Sequence, residues 1–487
     1  MGFFPWRRWI LFLPLLALLA AFGWLTWQWQ GGGALEVTFP GPEIPPLAGY
    51  TYPLYQLDLT LKPETGLVEG SCILEYTNNE GEALAELYFH LYPNAPLFSE
   101  GSQKKGFLTV DEVLLNKGAV TWKQEGTLLQ IKLPEPLPPG EGTVLELAFK
   151  VQVPPLGERF GVRQGIVSLG NWYPILAVYE NGAWCLDPYY EIGDPFYSDV
   201  ALYRVTLRLP RPYGVAATGN LREVKKLSWW QKELYFETGP VRDFALAVSK
   251  NYQVARREVG GITVQSFYLR NQEEGGRLAL EAACEALVFF QEVFGPYPYN
   301  QFSVAVSGFF AGGMEYPNLV FISSELYRPG AEKMLEYVVV HETAHQWWYG
   351  LVGNDQIREP WLDEGLADFS TNLFYEFCRP DEQGRVPGSP LDLYELYQGE
   401  AARGIIRRPL GEFSSELEYS LLVYGKGSLV FAELRQILGD EAFFQLLKEY
   451  AAEYSYRHAT IADFIRLCGR YTDLDLGQFF YKWLETA

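Results

Sequence analysis

Histidine is scarce in this 487-residue chain, which has only His90, His341, His345 and His458. Cysteine is nearly as sparse. The five (Cys72, Cys185, Cys284, Cys378 and Cys468) are widely spread and form no CxxC pair. That argues against a disulfide framework and a cysteine-zinc site, leaving a Cys72–Cys185 bridge as an open pairing. Outside the N-terminus there is no Lys/Arg-rich tract, and 60 acidic residues face 39 basic ones for a formal charge of −21. Phosphate binding needs clustered positive charge, so no nucleic-acid partner is expected. The acidity reads as solubility. Internal repeats and low-complexity runs are absent as well.

What the chain does have is core material. Apolar residues make up 48 % and aromatic residues 16 %, which excludes a disordered protein, and the length suits two or three domains. At the N-terminus, Arg7 and Arg8 precede an uncharged apolar stretch from Trp9 to Trp27. That is about the length of a membrane-spanning helix, and Trp6, Trp9, Trp24, Trp27 and Trp29 resemble interfacial belts at its two ends. The positive flank predicts residues 1–8 in the cytoplasm, 9–27 as a single-pass anchor and the body outside the cell membrane. A cleaved signal peptide is the competing reading, but its apolar region is usually shorter and ends at small residues, not at Trp-Leu-Thr-Trp-Gln-Trp. Residues 28–49, rich in Gly and Pro, read as a tether.

From 50 to 252 the apolar period is two. Tyr55, Leu57, Leu59 and Leu61 share one face, as do Leu129, Ile131 and Leu133, the set Leu145 to Val153, and Tyr203 to Leu209. This predicts an antiparallel β domain. From 253 to 487 the pattern is α+β. "GITVQSFYL", "QFSVAVSGFF" and "NLVFIS" read as strands, and "GRLALEAACEALVFFQEVFG" as a helix closed by Gly295 and Pro296. A later helix aligns Val430, Leu434, Ile437 and Leu438, and Thr460 with Asp463 resembles a capping box.

The chemistry concentrates in "VVVHETAHQWWYG", residues 338–350. On a helix, positions i and i+4 lie on one face about 5–6 Å apart, so His341 and His345 can turn a nitrogen toward one ion. Glu342 is rotated off that line, which suits a general base beside an open coordination position better than a ligand. This is the HExxH pattern of zinc peptidases, whose bland alternative is a core helix with incidental histidines. A third protein ligand is needed. "EPWLDEGLADFS" supplies Glu364, eighteen residues beyond His345, on what reads as a second helix. Asp368, four positions on, could accept the other N–H of a ligand histidine, while Asp363 should point elsewhere. His90 and His458 read as structural.

HETAH, the spacing, and "WLDEGLA" together resemble the M1 family of zinc metallopeptidases, the aminopeptidase group that includes leukotriene A4 hydrolase. "GGMEY" (312–316) is similar to the family's GAMEN motif, and "VYGKGSLVFAEL" (423–434) to the segment carrying its catalytic tyrosine. "FFYKWL" matches the end of its catalytic domain, and "VEGSCILEYTNN", "LYFHLYPNA" and "YGVAATGN" its N-terminal domain. The resemblance covers residues 50 to 487 and implies a thermolysin-like (gluzincin) catalytic domain behind the β domain. It implies one Zn2+ on His341, His345 and Glu364, with Glu342 as base and Tyr424 donating to the developing oxyanion. Glu315 is implied to bind the substrate's free α-amino group, with Gly312 and Gly313 allowing close backbone approach and Met314 forming a pocket wall.

Two features depart from that pattern. Tyr316 stands where Asn is usual, which should reshape the first substrate pocket, and the chain stops at Ala487, where many members continue into a helical C-terminal domain. The expectation is a membrane-anchored zinc aminopeptidase acting on peptides with a free N-terminus. An open-cleft zinc endopeptidase and a catalytically vestigial peptide-binding sensor are the alternatives. The stretch "NWYPILAVYENGAWCLDPYYEIGDPFY" is expected to approach the site without naming a residue.

Overall fold

The computed structural model describes residues 36–100, 105–309, 312–380, 386–397, 399 and 402–486. The expected anchor at 9–27 lies outside the described residues, among which no helix is long and apolar enough to cross a membrane. All five cysteines are free, so the Cys72–Cys185 pairing does not form.

The N-terminal part is β-rich, as its period-two pattern requires. Its largest sheet has eight strands in the order Asn220–Lys226, Gln231–Glu237, Leu202–Pro210, Leu54–Lys62, Leu67–Thr77, Gly142–Gln152, Phe107–Leu115 and Gly118–Ala119. Tyr55, Leu57, Leu59 and Leu61 are all buried, as are Leu145, Leu147, Phe149 and Val151 two strands away in the sheet. The sheet is not wholly antiparallel. Leu54–Lys62 pairs in parallel with Leu202–Pro210, in a register joining Leu57 to Val205. Alternation reports which face of a strand is buried but not the direction of its neighbour, so this crossover is invisible in the pattern. Two four-stranded sheets and a two-stranded one complete the part, one of the former pairing Leu246–Ser249 with Gly214–Ala217 and with Ile166–Leu169.

The tether expected at 28–49 differs over its second half. Phe39 is buried, its N–H donates to the Leu221 carbonyl at 2.8 Å, and Arg222 Nη1 donates to the Phe39 carbonyl at 2.6 Å. One buried aromatic ring and the backbone hydrogen bonds around it thus fasten a Gly/Pro-rich segment to the sheet edge.

A five-stranded mixed sheet begins at Tyr252, in the order Tyr252–Val259, Ile262–Leu269, Gln301–Ser307, Leu319–Ser323 and Gly313–Met314. Helix Glu273–Phe294 packs on it and stops at Gly295, whose φ of 107° suits glycine alone. This helix starts earlier than its apolar stripe suggests. A Cβ on Gly276 would stand 2.3 Å from the Tyr268 ring, so a glycine inside the first turns is what lets the helix lie against the sheet. Helices then dominate. Glu332–Ala344 carries the two histidines, Trp361–Cys378 carries Glu364, and Gly427–Leu438, Asp440–Glu453 and Ile461–Cys468 pack beyond them. Thr460 and Asp463 form the capping box. Ile437, expected in the core stripe, is instead 37 % exposed at the end of its helix, which closes at Leu438.

Arg242 ties the two parts together. Buried at 2 % exposure, it donates to the carbonyls of Tyr349 (2.6 Å), Arg457 (2.8 Å) and Ser198 (3.3 Å), while Gly353 passes so close that a Cβ there would lie 2.2 Å from the guanidinium carbon. Leaving buried carbonyls unpaired costs about 1–3 kcal/mol each. Arg242→Met is therefore expected to lower the thermal midpoint by on the order of 5–10 °C; a midpoint unchanged in a thermal melt would contradict this reading of Arg242.

Candidate active site

Helix Glu332–Ala344 brings His341 and His345 onto one buried face, and His345, the residue capping its C-terminus, keeps helical φ and ψ of −62° and −14°. The Nε2 atoms of the two rings are 3.1 Å apart, and Glu364 Oε2 lies 3.3 Å from His341 Nε2 and 3.0 Å from His345 Nε2. Tetrahedral zinc with bonds of about 2.0–2.2 Å separates its ligands by roughly 3.3–3.5 Å, so this triangle fits the ion with little adjustment. The donor chemistry demands a cation too. His345 Nδ1 lies 2.8 Å from the Trp348 carbonyl, which can only accept, so the proton sits on Nδ1 and the Nε2 lone pair faces the other two ligand atoms.

The Trp348 carbonyl is aimed by an unusual turn. Tyr349 adopts φ of 130°, which a residue bearing a Cβ rarely adopts, held by its own N–H to the Val352 carbonyl and by Arg242 on its carbonyl. Trp348 in turn donates from Nε1 to Ser370 Oγ at 2.9 Å, pinning the histidine turn to the helix that carries Glu364.

Glu342, 5 % exposed, faces the strand Gly313–Met314. A Cβ on Gly313 would sit 2.2 Å from its Oε1, so only glycine leaves room for this carboxylate beside the strand. Gly312 takes φ of 89°, and its carbonyl accepts from Ser323 N at 2.7 Å, which fixes the approach to that strand. Met314 is fully buried and packs as a wall. Burial pushes Glu342 well above the usual carboxylate range, opposed by His345. Burial also acts upward on Glu364, but His345 and His341 outweigh it and hold Glu364 well below that range.

Tyr424 arrives by close helix packing. A Cβ on Gly365 would meet Gly427 Cα at 3.2 Å, and this glycine contact lets the wide turn Ser420–Lys426 press against the Glu364 helix. Tyr424 OH then donates to Glu364 Oε1 at 2.6 Å, and its ring stacks on His341 with centroids 5.7 Å apart.

Asp368 requires a correction. It is buried near His341, but it accepts from the Tyr337 hydroxyl and from Asn372 Nδ2 at 3.2 Å, not from a ligand histidine. His341 Nδ1 has no hydrogen-bond partner among the described residues. The hydroxyl of Tyr337, one turn before His341, takes the carboxylate first. Asp363 turns away as expected, accepting from Asn354 Nδ2 and from Glu364 N. Tyr316 points across to the β part. Its hydroxyl donates to Asn171 Oδ1 at 3.2 Å and fills the space a Cβ on Gly170 would need. His90 and His458 are structural, held by the Cys185 carbonyl and by Asp199.

Residues 278–483 match the model of the peptidase family M1 domain. "Aminopeptidase M1-A" of Oryza sativa subsp. japonica is 26 % identical over 377 residues, covering 72 % of this chain and 41 % of that protein. "Aminopeptidase N" of Lactobacillus helveticus is 27 % identical over 229 residues, covering 42 % and 26 %. The chain is thus similar to the peptidase family M1 domain over residues 278–483. It spans less than half the length of these curated relatives. An M1 zinc metallopeptidase from Deinococcus radiodurans shares the fold with a TM-score of 0.62 at 21 % identity, covering 89 % of this chain and 93 % of its own. A related structure described as a two-domain M1 zinc metallopeptidase bound to L-tryptophan covers 91 % and 96 %, with a TM-score of 0.63. The matched family and the solved neighbours indicate a zinc cofactor.

In this chain Glu315 is 3 % exposed and receives Gln356 Nε2 at 3.5 Å. Beside it stands Asp194, which the sequence reading did not single out. Carboxylate oxygens of Asp194, Glu315 and Glu364 all lie within 4.8 Å of one another. Arg159 Nη1 holds Asp194 at 2.8 Å, yet burial, with Glu364 opposite, pushes Asp194 up to about 6. Burial likewise pushes Glu315 well up, reinforced by Asp194. Asp194 belongs to the stretch expected to approach the site, and its signal is the preceding Gly193. That residue takes φ of 63°, and a Cβ on it would lie 2.7 Å from the Tyr419 ring.

Zinc content separates these residues directly. Wild type is expected to bind about one zinc per chain, while His345→Ala and Glu364→Ala lose it and Glu342→Gln keeps it. Elemental analysis after dialysis checks this, and zinc retained by His345→Ala would contradict the ligand set.

Proposed function

We propose that this chain is a zinc-dependent aminopeptidase that releases the N-terminal residue of peptides, with the ion held by His341, His345 and Glu364. The observation that carries the reading is the pocket formed by Glu315 and Asp194 beside Glu364, three buried carboxylates within 4.8 Å of one another with Arg159 on one of them. Such a pocket is stabilised by a further cation, and a substrate ammonium held there puts the first peptide bond over the metal ligands. Distance from the ammonium then measures the chain end. A blocked terminus leaves the carboxylates buried and unpaired, so it is rejected.

Bound zinc supplies Lewis acidity and brings the pKa of water toward about 7. Glu342 takes the proton of the attacking water and returns it to the departing amine, and Gly313 leaves the space for this exchange. Its burial favours the protonated form once the proton has arrived. Tyr424 exchanges its bond to Glu364 Oε1 for one to the developing oxyanion, so its contribution falls mainly in the transition state. In this reading Tyr316, joined to Asn171 across the two parts, reshapes the first side-chain pocket.

The anchor belongs to the proposal as well. The apolar stretch Trp9–Trp27, behind Arg7 and Arg8, supports a single-pass attachment with residues 1–8 in the cytoplasm and the body outside. Residues 50–252 then form the β domain and 253–487 the catalytic domain.

On an aminoacyl amide substrate, Glu342→Gln is expected to lower kcat by about 10²–10⁴-fold. Tyr424→Phe should lower it by about 10²–10³-fold with KM little changed. Chelation abolishes turnover and zinc restores it; turnover indifferent to chelation would overturn the proposal.

A further inference from the structure

The hairpin Asn220–Lys226/Gln231–Glu237 forms one edge of the eight-stranded sheet and ends in Leu227-Ser228-Trp229-Trp230. Trp229 is 82 % exposed, the most exposed large apolar side chain among the described residues, and Trp230, Leu227 and Val224 are 49 %, 44 % and 40 % exposed beside it. The tip is rigidly held. Leu227 N and Ser228 N both donate to the Gln231 carbonyl at 3.1 Å, and Arg211 from the adjoining turn donates from its N–H to the Trp230 carbonyl at 2.8 Å. Its charge is opposite to that of the chain as a whole. Lys225, Lys226 and Arg211 are exposed around it, Lys225 being partly balanced by Glu223 at 2.9 Å and Glu233 at 3.7 Å.

The same tip is where the N-terminal segment joins the body. Glu36 pairs with Lys232, two residues beyond Trp230, and the chain then runs along the edge strand through Phe39. Only eight residues lie between Trp27, the end of the apolar stretch, and Glu36, a contour of about 30 Å at full extension. A body attached by that stretch therefore cannot carry the tip far from the bilayer surface.

We propose that the Leu227–Trp230 tip is a second membrane contact, seated in the phospholipid headgroup region beside the anchor. Tryptophan is the side chain best suited to that region, with an apolar ring and a donor N–H, and Lys226 and Arg211 face anionic headgroups. Two points of attachment fix the orientation of the body where a tether alone leaves it free to turn. The inference rests on the anchor reading above, and the test separates the two.

The full chain is reconstituted into phosphatidylcholine vesicles with and without phosphatidylglycerol, carrying an environment-sensitive fluorophore at Trp229→Cys or, as control, at Tyr481→Cys. The expected result at 229 is a blue-shifted emission, quenched by headgroup-depth brominated lipid and shielded from aqueous iodide, more strongly with phosphatidylglycerol. The control label stays open to iodide. Alkaline carbonate extraction of the same vesicles reads the anchor. A chain that resists extraction while the 229 label remains open to iodide overturns the second contact and leaves the anchor standing. A lipid-quenched label on a chain stripped by carbonate supports the contact and overturns the anchor. Shielding from iodide without quenching by lipid means that protein, such as a second copy, covers the tip, and also overturns it.

Discussion

The cleft buries more negative charge than the protein itself balances. Glu342, Glu364, Glu315 and Asp194 are each less than 10 % exposed, and Arg159 is the guanidinium paired with one of them. Carboxylates out of water are tolerated only when paired or hydrogen-bonded, so the arrangement is built around cations that come from elsewhere. Under the proposed function the metal accounts for Glu364, and a substrate ammonium accounts for Glu315 and Asp194. On this reading the carboxylate excess is itself the specificity device, because a peptide lacking the charged terminus leaves the pocket uncompensated.

Much of the surrounding structure serves to hold these charges close without water. Glycines make the approaches possible, Gly313 against Glu342, Gly365 against Gly427 and Gly193 against Tyr419. The strained Tyr349 turn aims the Trp348 carbonyl at His345, and Arg242 anchors that turn from the β part. Asp194 and Tyr316 cross the boundary in opposite directions, so the β part completes the site as well as covering it. Arg159, stacked between the Phe196 and Phe309 rings, orients Asp194 from the same side.

How much of this was legible in the sequence depended on whether the signal was local. His341, His345 and Glu342 are fixed by helical periodicity, and the buried faces of the strands by alternation. Glu364 needed only a second helix after a loop. Asp194 was not legible, because a carboxylate in an aromatic-rich irregular stretch carries no period to place it. Asp368 failed for a related reason. Its position on the helix was correct, but Tyr337, one turn before His341 on the neighbouring helix, competed for its oxygens, and competition of that kind is decided by packing. The parallel strand pair Leu54–Lys62 with Leu202–Pro210 was hidden because alternation is the same for either direction.

Recognition of a free terminal ammonium by Glu315 and Asp194 is the central element of the proposed function. The most direct measurement is kcat/KM on a matched pair of peptides, one with a free N-terminus and one N-acetylated, for wild type and for Glu315→Gln. Wild type is predicted to prefer the free peptide by at least about 10³-fold, and the variant to lose most of that preference by losing the free substrate. Equal cleavage of free and acetylated peptides by wild type would contradict the account, leaving a zinc endopeptidase with an open cleft.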